Sequence, residues 1–219
     1  MPPPSSTGRP SATAWPDSAW IELGEAHVSK DFSAGARPHH GTADLAARIA
    51  LGWNDEGLQL SLEVRDDVYV RGTQNDGDLW QGDSFQLYVD PADAAREGRI
   101  GFTTSDACWL FGEALAGGTA VQLTHNPGNR YLGAANAEQG ADPDVRAIWT
   151  RTHDGWMLSA HFPAKTLPGL ALKAGSRFGL SALINDNDGQ GRKAGLTMGA
   201  PGTEPYEQPW LWKAAVLDP

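Results

Sequence analysis

Ala46–Val64 reads AARIALGWNDEGLQLSLEV, and this stretch decides the fold class. Leu58, Leu60, Leu62 and Val64 occupy alternate positions, the period of a strand whose side chains point to opposite faces of a sheet. Ala46–Trp53 alternates in the same way, and Asn54–Gly57 (NDEG) supplies the turn between the two runs. The stretch therefore predicts a β-hairpin with one buried face and one wet face.

The same logic recurs along the chain. Ser84–Asp90 alternates, with Phe85, Leu87 and Val89 expected inward and Ser84, Gln86 and Tyr88 outward to solvent. Val145–Thr152, the turn His153–Gly155 and Trp156–Phe162 predict a second hairpin. Arg177–Ile184 and Lys213–Leu217 complete the strand set. Helical turns are expected only at Asp90–Arg96 and Ala164–Leu167. Short strands separated by turn signals, with 26 Gly and 15 Pro in 219 residues, predict an all-β antiparallel sandwich, jelly-roll-like, with short helical turns and long loops. Residues 1–14 read as an unstructured Pro/Ser/Thr-rich linker, residues 15–219 as one β-sandwich module, and Asn126–Asp144 as a long excursion loop.

Composition excludes several function classes. A net charge of −10 with no basic cluster would repel a phosphate backbone, so nucleic acid is not an expected partner. No apolar run approaches the ~20 residues that span a bilayer, and the N-terminus lacks the apolar core of a secretion signal. Cys108 is the single cysteine, which rules out an internal disulfide. In the run CWLF it reads as a small buried hydrophobe.

Catalytic motifs are missing. A glycosidase needs two facing carboxylates, whereas Glu22, Glu63, Glu97, Glu113, Asp142 and Asp144 are scattered over expected turns and wet faces. Nucleophile elbows, HExxH and phosphate loops are absent. His39-His40 reads as polar loop and His161 as solvent-facing. Met157, Met198 and His161 are the residues from which a haem axial pair would have to come. In Asn185–Arg192 (NDNDGQGR), Asp186, Asp188 and Gln190 alternate ahead of Gly191, as in the opening half of a calcium loop. Thr197 stands where the closing bidentate glutamate belongs. Asp186 and Asp188 are thus either ligands of one hard cation, with backbone carbonyls, or parts of an Asx-rich turn.

One aromatic stands out. Trp80, in DLWQGDSFQLYVD (78–90), places an indole among polar turn residues just before a strand. It either folds back over the sandwich edge or offers its flat face to a ligand. Gln86 shares its parity if the strand register extends back to the indole. A pyranose, with an apolar C–H face and a hydroxyl fringe, suits a flat ring with an amide at its rim.

Taken in order, WIEL (20–23), DLAARIALGWNDEGLQLSLEVRDD (44–67), LWQGDSFQLYVD (79–90), DGWMLSAHFPAKTL (154–167) and FGLSALINDNDGQGRKAG (178–195) resemble the family 9 carbohydrate-binding modules, over roughly residues 18–217. The resemblance implies a non-catalytic β-sandwich, appended to a secreted glycoside-active enzyme. Its location would be extracellular or at the cell surface, and its partner an oligo- or polysaccharide. Some members grip the reducing end of a glucan or xylan between two aromatic rings, and structural calcium is a family feature, here implicating Asp186 and Asp188. Residue by residue, Trp80 becomes one wall of the sugar slot. Gln86 stands at the position usually held by a glutamate. Tyr206, in APGTEPYEQPWLWK (200–213), becomes the opposite wall, where sugar binders carry Trp, with Trp210 as the alternative. Arg192 or Lys193 is the basic residue leading into that loop. Ala164 replaces a usual tryptophan. Two other functions stay open from the residues alone: a structural or protein-interaction sandwich, and an enzyme or haem domain on the same fold.

Overall fold

A computed structural model describes residues 15–33, 35, 38–72, 76–92, 101–103, 105–125 and 139–218. The linker expected at 1–14, most of the expected helical turn after Asp90 and most of the 126–144 excursion lie outside the described residues.

The hairpin read from Ala46–Val64 is β2 (Leu45–Asn54) and β3 (Gly57–Asp66), preceded by the short β1 (Trp20–Leu23). There follow β4 (Ser84–Asp90), β5 (Ala107–Glu113), β6 (Thr119–His125) and β7 (Gln139–Ala141). The second hairpin is β8 (Arg146–Arg151) with β9 (Gly155–Pro163), and β10 (Arg177–Asn185), β11 (Leu196–Thr197) and β12 (Lys213–Val216) close the set. One sheet runs β1-β2-β3-β9-β8. The other runs β11-β10-β4-β5-β6-β7, with β12 also paired to β10. The pairings are antiparallel, and the two sheets form a β-sandwich. Short 3-10 turns at Asp76–Gln81 and Ala164–Thr166 are among the few helical pieces. Among the described residues no helix is long and apolar enough to cross a membrane.

Alternation places the core. Leu58, Leu60, Leu62 and Val64 of β3 and Phe85, Leu87 and Val89 of β4 are buried between the sheets. Aromatic rings pack the interior: Trp109 of the second sheet meets Phe162 of the first edge-on at 5.1 Å, and within the first sheet Trp149 stacks on Trp156 at 4.0 Å. Offset and edge contacts of this kind add to the area buried. The two hairpins approach so closely that Gly155, at φ 147°, has no room for a side chain. A Cβ there would lie 2.1 Å from the Val64 carbonyl oxygen.

Two outward expectations need correction. Ser84, Gln86 and Tyr88 have the expected outward parity, but they are only 0%, 6% and 0% exposed. Trp212, Tyr206 and Phe102 pack around Tyr88 on this face, which alternation cannot reveal because both faces of β4 are buried. Asp142, read as a surface acid, is buried as well, and its Oδ2 accepts from Trp109 Nε1 at 2.9 Å.

Candidate functional site

The outer face of the second sheet gathers the singled-out residues. Gln86 on β4 is paired with Leu110 on β5 and Leu183 on β10; one row along, Tyr88 is paired with Cys108 and Ser181. At one flank, the 3-10 turn Asp76–Gln81 brings Trp80, partly buried, against the cluster Leu79, Leu110 and Ala120. At the other flank, Tyr206, also partly buried, packs against the cluster Tyr88, Cys108, Leu183 and Trp212. The two clusters meet the β5 strand at Leu110 and Cys108.

Gln86 lies between the flanks. Its Oε1 accepts from the Tyr88 hydroxyl, with Cys108 Sγ 4.0 Å away. Among the described residues no acceptor takes a hydrogen from its Nε2, so one end of the amide is fixed and the other retains its donors. Cys108 is buried, as the apolar run predicts, although on the outer rather than the core face.

The aromatic flanks are held by residues that the sequence did not single out. Gly82 N donates to Leu79 O at 3.1 Å, closing the turn that carries Trp80. Asn187 Nδ2 donates to Gln81 O at 2.6 Å, and Asn187 N donates to Asp83 Oδ1 at 3.0 Å. The loop NDNDGQGR therefore braces Trp80. On the other flank, Trp212 is 4% exposed, packs on Tyr88 at 5.4 Å and on Phe102 at 5.7 Å, and donates from Nε1 to Pro205 O at 3.0 Å. Burial, reinforced by Glu204 and Glu207, pushes the Tyr206 hydroxyl up to about 12, so it stays protonated and can donate. Trp210 is 37% exposed.

Arg192 is placed differently from a rim residue. Its guanidinium donates to Glu204 Oε2 at 2.7 Å, covers the Phe32 ring at 4.4 Å, and is 7% exposed. Burial raises the Glu204 carboxyl despite the opposing charge of Arg192. The pair anchors the segment that carries Tyr206. A signal existed in the sequence, since Glu204 lies two residues before Tyr206, but pairing across 12 positions has no periodic signature.

Asp186 and Asp188 do come together, around a lysine. Lys193 Nζ lies 2.6 Å from Asp44 Oδ1, 2.6 Å from Asp188 Oδ2 and 3.3 Å from Asp186 Oδ2. Hydrogen bonds to Asp188 and Asp44 outweigh the cost of burial and hold the Lys193 ammonium well above its usual range. His39, expected to be polar loop, is instead packed beside this cluster, 3.3 Å from Asp44, and burial lowers its pKa. Burial and neighbouring carboxylates push Asp186 up to about 8 and raise Asp66 and Asp83 as well. Among the described residues neither oxygen of Asp186 accepts a hydrogen bond, nor do Asp66 Oδ2 and Asp188 Oδ1. Oxygens of Asp44, Asp67 and Asp188 lie within 4.8 Å of one another. Orphaned carboxylate oxygens in a site with excess negative charge fit a hard cation.

The haem ligands do not converge. His161 and Met157 share the outer face of the first sheet but lie four residues apart along β9, roughly 13 Å, paired with Gln59 and Glu63, while Met198 packs against the core. A cavity of about 870 Å³ opens at the sandwich edge between β1 and β12, lined by Trp15, Leu51, Trp53, Phe178, Met198 and Val216 among others. Its walls mix core side chains such as Leu58 and Leu180 with exposed ones such as Ile21 and Val216, and include two indoles, Trp15 and Trp53, but no side-chain amide.

A family model described as carbohydrate family 9 binding domain-like matches residues 12–218. The chain belongs to this family. It is a family of non-catalytic binding modules, so the chain is a module and not an enzyme. The fold is similar to that of a family 9 carbohydrate-binding module from Caldicellulosiruptor kristjanssonii in complex with glucose. Identity is 17%, coverage 79% of this chain and 76% of that one, and the TM-score 0.57. A module from the same organism in complex with cellotriose gives 16% identity, 90% and 80% coverage and a TM-score of 0.59. A putative carbohydrate-binding protein from Bacteroides uniformis gives 13% identity, 91% and 86% coverage and a TM-score of 0.53. No curated protein sequence matches the chain.

Proposed function

We propose that the outer face of the second sheet binds a saccharide between Trp80 and Tyr206, with the Gln86 amide donating to its hydroxyls. The observation that carries this is the placement of an amide with unclaimed donors between two partly open aromatic side chains. Glucose and cellotriose in the similar modules support a β-glucan as the ligand class; a xylan chain, and capture of the reducing end, belong to the same proposal. Trp210, exposed nearby in sequence, extends the aromatic surface. Arg192 acts through Glu204 to position the Tyr206 segment.

Such a slot covers little area, so affinity falls in the micromolar to millimolar range, about −4 to −8 kcal/mol. Attachment to a glycoside-active enzyme outside the cell would make this useful through effective concentration. Titration with cello- and xylo-oligosaccharides, followed by intrinsic tryptophan fluorescence, tests the proposal. A saturable shift lost in Trp80→Ala supports it. A flat response across a broad glycan panel leaves a sandwich used for structure or protein contact.

Asp186 and Asp188, with Asp44 and Asp67, form a structural calcium site in this proposal, supported by the orphaned oxygens. Calcium there would neutralise the carboxylates and tie the loop that braces Trp80 to the rest of the sandwich.

A further inference from the structure

We propose that Lys193 is a built-in cation that competes with calcium for the same carboxylates, so that the cage is filled by an ammonium when no metal is bound. The proposal rests on the calcium site described above.

An ammonium has three donors and no acceptor. Here three carboxylates face it: Asp44 and Asp188 at 2.6 Å and Asp186 at 3.3 Å. The first two are short, charge-assisted contacts. The third is longer, and both Asp186 oxygens remain without a hydrogen bond among the described residues although the residue is only 1% exposed. One ammonium thus faces three carboxyl groups, and the poorest contact falls on Asp186. Lys193 itself is 0% exposed. Its backbone N–H donates to the Asp186 carbonyl at 2.9 Å, which fixes the base of its stem beside the cage.

A divalent ion would use Asp44 and Asp188 oxygens that the ammonium now holds. Like charges at such range repel strongly in a buried setting, so metal can enter only as Nζ withdraws. Lys193 therefore does two things. It holds the loop 186–192 against Asp44 in the absence of metal, and it weakens calcium binding.

Calcium titration calorimetry and thermal melts, with and without chelator, on the native protein, Lys193→Gln and Asp186→Asn test this. The native protein is expected to keep its fold in chelator and bind calcium weakly. Lys193→Gln is expected to bind calcium at least tenfold more tightly, and to melt lower in chelator with the loss recovered by calcium. Asp186→Asn, which keeps two carboxylates on the ammonium, is expected to fold in chelator and lose its calcium response. Equal calcium affinity in the native protein and Lys193→Gln overturns the competition while leaving the metal site. An unchanged calcium response in Asp186→Asn overturns it as well, since Asp186 would then lie outside the cage. No calcium response in any of the three proteins removes the metal site and the competition together.

Discussion

Replacing Trp80 by alanine removes one proposed wall of the slot, and the size of the effect follows from its placement. An indole side chain presents about 150–250 Å². Trp80 is partly buried against Leu79, Leu110 and Ala120, so no more than about 75 Å² is open to a ligand, roughly a third of the total. At about 25 cal/mol per Å² this is worth at most about 1.9 kcal/mol, or about 25-fold in Kd. Isothermal titration with cellotriose should therefore show a fivefold to 25-fold loss, about 1–1.9 kcal/mol. The part of the indole that packs on the cluster will be felt in the melting temperature instead. The two effects separate because affinity is measured on protein shown to be folded. Trp80→Ala protein that binds cellotriose as tightly as the native chain would refute the stacking role.

Gln86→Ala should weaken oligosaccharide binding by about 1–2 kcal/mol in the same titration, and should also lower the melting temperature by removing the amide oxygen that accepts from the Tyr88 hydroxyl. Trp212→Phe keeps a ring on Tyr88 but loses the hydrogen bond to Pro205 O. A stability loss of about 1 kcal/mol in urea unfolding, with weaker saccharide binding, is expected from loosening the segment that carries Tyr206. In chelator, stability should fall as pH rises. The Asp186 carboxyl, raised to about 8, contributes stability that is fully present below its ordinary range and is lost as pH climbs through 8. Thermal melts at pH 6 and pH 9 should differ by at least about 3 °C, the equivalent of about 1 kcal/mol in a domain of this size, and excess calcium should shrink the difference.

The fold was legible because its strands alternate. Leu58–Val64 and Trp156–Phe162 each put four apolar side chains on one face, and their turns are marked by Asn54–Gly57 and His153–Gly155. That pattern reports only whether a side chain points inward or outward. It could not report that Tyr88, pointing outward, is fully covered by Trp212 and Phe102. The candidate site divides in the same way. The parity expected of Trp80 and Gln86 needed the strand to reach back to the indole, whereas β4 begins at Ser84 and Trp80 sits on the 3-10 turn Asp76–Gln81, so its place on that face comes from the turn and not from the strand period. Glu204, Asn187, Asp44 and Trp212 act through contacts between segments as far apart as 149 positions, as with Lys193 and Asp44, and such contacts have no period. The loop NDNDGQGR carried a visible cation signature. The lysine that completes it lies just past the motif, and its buried position depends on Asp44 in a distant loop.

The most direct measurement is a two-dimensional NMR titration of the tryptophan indole N–H groups with cellotriose. Nine tryptophans are spread over the core, the edge cavity and the outer face, so each location has its own reporter. Saturable shifts at Trp80, with Trp109 and Trp156 in the core unmoved, are the predicted outcome. Shifts confined to Trp15 and Trp53 at the edge cavity, with Trp80 silent, would place saccharide capture elsewhere and contradict the assignment of the Gln86 face.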